Sequence, residues 1–476
     1  MKINTKKTDV IWSYLGYGLS LAINVILLPW ILNSVEQAEL GVWYTFASVS
    51  TIVNTVDFGF SPTIIRNLTY AWSGAKVLQK TGVQYVTKDS GPNYKLYGKV
   101  LVACKYLYLA ISLFALLILI SIGSVYINYI SVGLEKKALL AWGIYAFGCF
   151  MNLYYSYWPL VLKSVGRMAE AQKATVISKV VQFVASMIGL KIGGGIVALA
   201  VAYVISGVVL RVCAKFYFVR HEEIQANIDV NSRELDRKEI FEILGILWVN
   251  AKKAGVSTVS TTVMGQAGTI VCSGVLGVNA TAEYGLVLQL MNVLTGVGQI
   301  IYQINVPVLT NAKVVNDIEC QQRKLSLSVV SFFAVSILGT LFCVVFLGDI
   351  LVALKSNTVF NSLLFLGVAL YYIPEKNYAI NAGYVAIGNE LPFVKSLVFT
   401  SIARIILLMI GTYVLKLGVW GIVLAGVISN YAYIVWKWPA VAMKQLDLTP
   451  CKLVKIGSVE LYRLVMSLLK KGQVIR

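Results

Sequence analysis

Long apolar runs recur along the chain, separated by short polar or basic stretches, and their length decides what they are. A helix needs about 20 mostly apolar residues to cross a bilayer. Twelve segments qualify: roughly 10–32, 40–60, 99–123, 138–162, 172–191, 196–218, 248–275, 283–308, 326–347, 359–384, 396–415 and 418–441. Barrel strands would alternate over about 10 residues, which these runs do not. The prediction is an all-α polytopic membrane protein of about twelve transmembrane helices. The first run, Val10 to Leu32, follows a basic start (Lys2, Lys6, Lys7). It is too long for the apolar core of a signal peptide, and no A-x-A site follows, so it reads as a retained span.

Three stretches depart from the pattern. Residues 61–97 read as a long inside loop with helical stretches, ending in the turn-prone Asp89-Ser90-Gly91-Pro92-Asn93. Residues 219–243 are the most charged and sit at mid-chain, where a linker between two six-helix halves belongs. The tail sets Leu453, Ile456, Leu461, Leu464, Val465 and Leu468 against Lys452, Lys455, Arg463, Lys470 and Lys471. That pattern predicts an amphipathic helix lying on the inner leaflet. The organisation is therefore a first lobe over 1–218, a cytoplasmic linker over 219–243, a second lobe over 244–443 and a basic tail over 444–476.

Composition narrows the function. Charged residues make up 13% of the 476, against about 25% in soluble domains, too few to coat several water-soluble domains. The formal charge of +19 would suit a nucleic-acid partner, but its distribution gives another reason for it. With the N-terminus inside, external loops hold only Lys136, Lys137, Lys191, Lys355 and Lys416 of the 41 basic residues. That asymmetry places both termini in the cytoplasm. The excess serves topology and anionic lipid, with no nucleic acid. A single histidine, His221, leaves no His-rich metal site. Seven cysteines without a CxxC pair argue against a disulfide framework or zinc. No P-loop, nucleophile elbow, HExxH or kinase pattern is present, so neither an enzyme nor a cofactor is expected.

The halves carry a faint duplication. Ala38-Glu39-Leu40-Gly41-Val42 opens span 2 and Ala282-Glu283-Tyr284-Gly285-Leu286 opens span 8, with Pro62 and Pro307 following at nearly the same distance. Gly166 precedes Lys173 by seven residues, as Gly388 precedes Lys395. Lys179 and Arg404 then occupy similar places in spans 5 and 11. Gly195-Ile196-Val197 and Gly421-Ile422-Val423 open spans 6 and 12. An even number of spans per half makes the halves parallel repeats, an arrangement common in secondary transporters.

The chain resembles the polysaccharide-exporting branch of the multidrug/oligosaccharidyl-lipid/polysaccharide exporter superfamily. The resemblance rests on Glu39-Leu40-Gly41-Val42-Trp43, on Asp57-Phe58-Gly59-Phe60-Ser61-Pro62 running to Arg66, and on Ala282 to Leu286. It implies a MATE-like pair of six-helix lobes in the bacterial cytoplasmic membrane. It also implies a flippase for undecaprenyl-pyrophosphate-linked oligosaccharide, the repeat unit of O-antigen or capsule, with a polysaccharide polymerase as partner. The alternative is a MATE-type cation-coupled multidrug antiporter. A membrane glycosyltransferase or polymerase would carry a large external loop, and the external loops here are short; lipid II flippases usually have fourteen spans.

A charge at the bilayer centre costs roughly 2.5–3.5 kcal/mol on insertion scales, so each embedded ionisable residue is a candidate. These are Asp57, Arg66, Lys105, Lys179, Lys252, Lys253, Glu375, Lys376 and Arg404, seven cations against two acids. An exporter of organic cations calls for acids in its cavity, whereas a diphosphate must leave water with its charge matched. Lys179 and Arg404 are the leading pair, as anion contacts or as snorkelling side chains. Arg66 contacts substrate or anchors the topology, and the same choice holds for Lys252 and Lys253; Lys105 reads as an anchor. Glu375-Lys376 follows Pro374, forming either a polar break or a mutually tuned pair. Asp57 binds a coupling ion, pairs with Arg66, or caps a helix end. Tyr145, Tyr154, Tyr155, Tyr157 and Trp158, with Tyr371, Tyr372, Tyr378 and Tyr384, suit sugar stacking or plain packing.

Overall fold

The computed structural model describes residues 23, 26–78, 91–220, 237–314, 316–353, 360–387 and 391–473, and all their regular structure is helical. Among them, nine helices are long and apolar enough to cross a membrane. The predicted span 10–32 lies mostly outside the described residues, apart from helix over 26–34 that reaches just beyond its end. The protein is a multi-pass helical membrane protein. Contacts divide it into two compact units, Met1–Gln266 with Gly277–Asn279, and Ala267–Leu276 with Ala280–Arg476.

The first unit holds α1 (Gln37–Asn54), α2 (Phe60–Trp72), α3 (Tyr94–Ile118), α4 (Ser124–Ile130), α5 (Glu135–Tyr154), α6 (Tyr157–Ser164), α7 (Met168–Lys191) and α8 (Gly195–Val219). It also holds most of α9 (Arg237–Val271). Three of its spans are interrupted, each for a readable reason. Span 2 breaks at a 3-10 turn, Thr55–Asp57, and at Phe58 and Gly59, both with positive φ (47° and 73°). Pro62, which has no N–H to offer, then falls in the first turn of α2, where none is needed. Span 4 breaks between α5 and α6 because Pro159 cannot donate to residue 155. Span 3 passes through a π turn, Leu119–Gly123, and the indole of Trp142 donates to the Leu119 carbonyl (3.1 Å).

Part of the stretch read as an inside loop with helical stretches is helix α2, which packs against α3 and α6 and buries Ile64, Leu68 and Ala71. Those positions keep helical spacing (i, i+4, i+7), but the opposite face carries Arg66 and Thr69 and lowers the mean hydropathy below that of a span. After residues 79–90, which lie outside the described set, Asn93 caps α3 by accepting from the Leu96 N–H (3.0 Å). Of the predicted linker 219–243, residues 221–236 lie outside the described set and 237–243 are the first two turns of α9.

The Glu39 motif has a structural use. Buried Glu39 pairs with Lys137 of α5 and accepts from the Ile196 N–H (3.4 Å) at the start of α8. A carboxylate there answers the orphan donors of a helix N-terminus. Gly195 makes the approach possible, since its φ is 52° and a side chain would overlap the Glu39 carboxylate.

The second unit contains α10 (Val278–Val314, from Ala280 onward), α11 (Ile318–Ala353), α12 (Ser362–Ala386), α13 (Val394–Met409), α14 (Val419–Tyr431), α15 (Ile434–Gln445) and α16 (Pro450–Gln473). Its core gathers Phe332, Phe365, Tyr371, Tyr372 and Tyr384 with aliphatic residues of α10, α11 and α14. The tail helix α16 docks on α11: Leu453 and Gly457 are buried there and Arg323 pairs with Glu460 at 2.9 Å. Its other side exposes Lys452, Lys455, Val459 and Tyr462.

Candidate functional site

Within the first unit, a cavity of about 390 Å3 opens where the broken helices meet. Asp57 and Ser61 come from the span 2 break, Asn152 and Ser156 from the span 4 break. Lys179 and Gln182 come from α7, and Tyr203 and Arg211 from α8. The breaks explain the polarity, because each frees backbone groups that side chains must answer. Ser156 turns its N–H to Leu153 (3.2 Å), which leaves the Asn152 carbonyl without its usual helical donor. Arg211 supplies one, with Nη2 2.6 Å from that oxygen and Nη1 3.3 Å from the Gly207 carbonyl. Its Nε has no partner among the described residues, and neither do Asn152 Oδ1 and Ser156 Oγ. Buried polar atoms left in that state are costly, so the wall is chemically unfinished.

Lys179 is half-buried and donates to Gln182 Oε1 (3.0 Å). Asp57 is tied into the break itself. Its Oδ2 accepts from the Ser61 N–H (3.1 Å), its Oδ1 accepts from the Tyr108 hydroxyl (2.7 Å), and the Ser61 and Tyr108 hydroxyls are 3.2 Å apart. Asp57 therefore caps α2. The cavity presents two cations, one engaged carboxylate, and hydroxyl and amide groups beside the apolar Leu153 and Leu210, a surface with places for an anionic, hydroxyl-bearing ligand.

In the second unit two of the embedded charges, Glu375 and Arg404, are closed on one another. Arg404 is 3% exposed and Glu375 5%. They pair at 2.9 Å, Asn430 donates to the same carboxylate oxygen (3.0 Å), and Arg404 Nε donates to Ser429 Oγ (3.0 Å). The guanidinium also lies 5.3 Å from the Tyr371 ring centroid. Glu375 thus pairs with Arg404 of α13, not with its neighbour Lys376. The Lys376 amine lies 4.7 Å above the Tyr372 ring, and the Tyr372 hydroxyl donates to Asn292. Arg66 and Lys252 are exposed, Lys105 is half-buried, and the Lys253 side chain lies outside the described set.

The structure thus brings Lys179 and Asp57 to one cavity, seats Glu375 and Arg404 in a separate buried pair, and leaves Arg66 and Lys252 on the surface. Arg211 is the residue that sequence reasoning missed. Its signal was present, since it lies inside the predicted span 196–218. Most of the crowded aromatics pack on each other: Tyr154 and Tyr155 rings are 4.5 Å apart, as are Tyr145 and Tyr203.

No family model and no curated protein matches the sequence. Solved structures do match in fold. One is an inward-facing multidrug resistance MATE-family transporter of the MOP superfamily, 15% identical with a TM-score of 0.66, matched over 91% of this chain and 96% of that one. Another is the MATE multidrug transporter DinF-BH, 14% identical with a TM-score of 0.60, over 95% and 97%. A third is a MOP superfamily transporter from Pyrococcus furiosus, 14% identical with a TM-score of 0.50, over 93% and 96%, described as having a binding pocket of reverse polarity. At these identities the likeness shows the fold, and that fold is the one of MATE-family transporters.

Proposed function

We propose that this MATE-like protein is a flippase that carries polyprenyl-pyrophosphate-linked oligosaccharides from the inner to the outer leaflet of the bacterial cytoplasmic membrane. The observation that carries the reading is the first-unit cavity, where Lys179 and Arg211 face hydroxyl and amide groups and the one carboxylate is already engaged by Tyr108 and Ser61. An anionic glycan head group finds charge-assisted and neutral hydrogen bonds there. Two six-helix lobes alternate between inward and outward access, both termini stay cytoplasmic, and the prenyl tail remains in an apolar phase. Membrane lipids and a polysaccharide polymerase are the further partners; nucleic acid is not one. Arg66, Lys252 and Lys253 belong in this reading to substrate approach along the basic side, Lys376 to a cation held over the Tyr372 ring within the second lobe, and the Arg404–Glu375 pair to holding that lobe together.

The competing reading, a cation-coupled multidrug antiporter, draws on Asp57 at the cavity wall and on the multidrug transporters among the structural neighbours. The two separate in one reconstitution. Proteoliposomes are loaded with labelled polyprenyl-pyrophosphate oligosaccharide or, in parallel, with a cationic dye and a proton or sodium gradient. A flippase exposes the labelled glycan and leaves the dye in place. Dye movement driven by the gradient, with a static glycolipid, makes the protein an antiporter.

A further inference from the structure

A second cavity of the first unit lies on the other side of the same break. It encloses about 500 Å3, within the range of roughly 300–1,000 Å3 for small-molecule pockets. Its wall is apolar: Phe58 and Phe60 from the break, Leu107 and Ile111 from α3, Trp248 and Val259 from α9. Phe58 is held at φ 47°, a left-handed conformation uncommon for a bulky residue. The turn lays its ring on Trp248, with centroids 5.4 Å apart and planes 11° from parallel; Phe60 lies 6.1 Å from the same indole. Gly255 of α9 leaves the space for this, since a Cβ there would overlap Phe58. Trp248 is 50% exposed, so among the described residues its indole stays open at the cavity wall.

One layer of chain serves both cavities. Asp57 and Ser61 line the polar one, while Phe58 and Phe60 line the apolar one. Helix α3 repeats the division, with Tyr108 bonded to Asp57 and Leu107 and Ile111 on the apolar wall. An amphiphile whose charged end meets Lys179 and Arg211 has an apolar surface waiting across a single segment. The aromatic and aliphatic wall offers close dispersion contact to the methyl-branched isoprene units of a prenyl chain. The geometry points to this cavity as the seat of the head-proximal isoprene units of a prenyl phosphate. The inference rests on the flippase reading and adds that the lipid carrier is recognised inside the first unit.

The test uses undecaprenyl phosphate, which bears no sugar, so it does not depend on transport. The full chain is delipidated and titrated in native mass spectrometry with that lipid or with phosphatidylglycerol. Val259→Trp fills the cavity, and Leu107→Trp fills it from α3 should the first variant fold poorly. The expected result is a fall in prenyl phosphate adducts of about tenfold, equivalent to about 1.4 kcal/mol, with phosphatidylglycerol adducts unchanged. A photoreactive phenylalanine analogue at position 111 is expected to capture the prenyl chain. Equal displacement by phosphatidylglycerol, or adducts indifferent to both filling variants, would overturn the assignment and leave an ordinary lipid-facing recess. Prenyl phosphate seated here without glycolipid transport would remove the flippase reading and keep the site. Transport with adducts indifferent to the variants would do the reverse.

Discussion

Lys179 and Arg404 stand at matching places in the two halves of the sequence, yet their surroundings differ in kind. Lys179 sits on a cavity wall with Gln182 as its hydrogen-bond partner, beside a second cation and several orphaned polar atoms. Arg404 is enclosed, with Glu375 at 2.9 Å and further donors and acceptors around the pair. An enclosed ion pair has its charges matched within the protein, and stranding either one is costly. A cation on a cavity wall, hydrogen-bonded to a neutral amide, keeps its attraction for something that arrives. Of these two similar sequence positions, the first lies on a cavity wall and the second is locked into a buried ion pair.

Substitutions break that contrast in a predictable order of stability cost. Arg404→Met leaves the Glu375 carboxylate buried without its partner, a loss of about 3–5 kcal/mol, read as a lowered midpoint in denaturant unfolding followed by circular dichroism. The double change Glu375→Gln with Arg404→Met recovers most of that loss, because no buried charge is stranded. Arg211→Met strips the Asn152 carbonyl of its donor and costs about 1–3 kcal/mol, while also removing a cavity cation. Asp57→Ala uncaps α2 for about 1 kcal/mol, whereas Asp57→Asn keeps an acceptor and loses little. Lys179→Gln costs least, under about 1 kcal/mol, since its present partner is a neutral amide; thermal melting in detergent is expected to show almost no shift.

The contrast also marks how far the sequence could be read. Among the described residues, nine of the twelve predicted spans coincide with helices long and apolar enough to cross, legible because hydropathy over about 20 residues is a local property. Helix α2 was legible only as a helical stretch of a loop, because its polar stripe pulled the average down although Ile64, Leu68 and Ala71 kept the 3.6-residue period. Lys179 and Asp57 were legible as embedded charges, and Arg211 was open to the same argument. The Arg404–Glu375 pair was not legible, since the partners are 29 residues apart on different helices and no spacing rule links them. Nor was the opening of the first cavity, which depends on where Pro159 and Phe58-Gly59 interrupt their helices.

The measurement that bears most directly on this account is glycolipid translocation in proteoliposomes by Lys179→Gln beside the Glu375→Gln/Arg404→Met double variant, each checked for folding. The account predicts that Lys179→Gln abolishes most transport while remaining as stable as the parent, and that the double variant still transports. Robust transport by Lys179→Gln, with transport lost only when the buried pair is replaced in a well-folded protein, would contradict it.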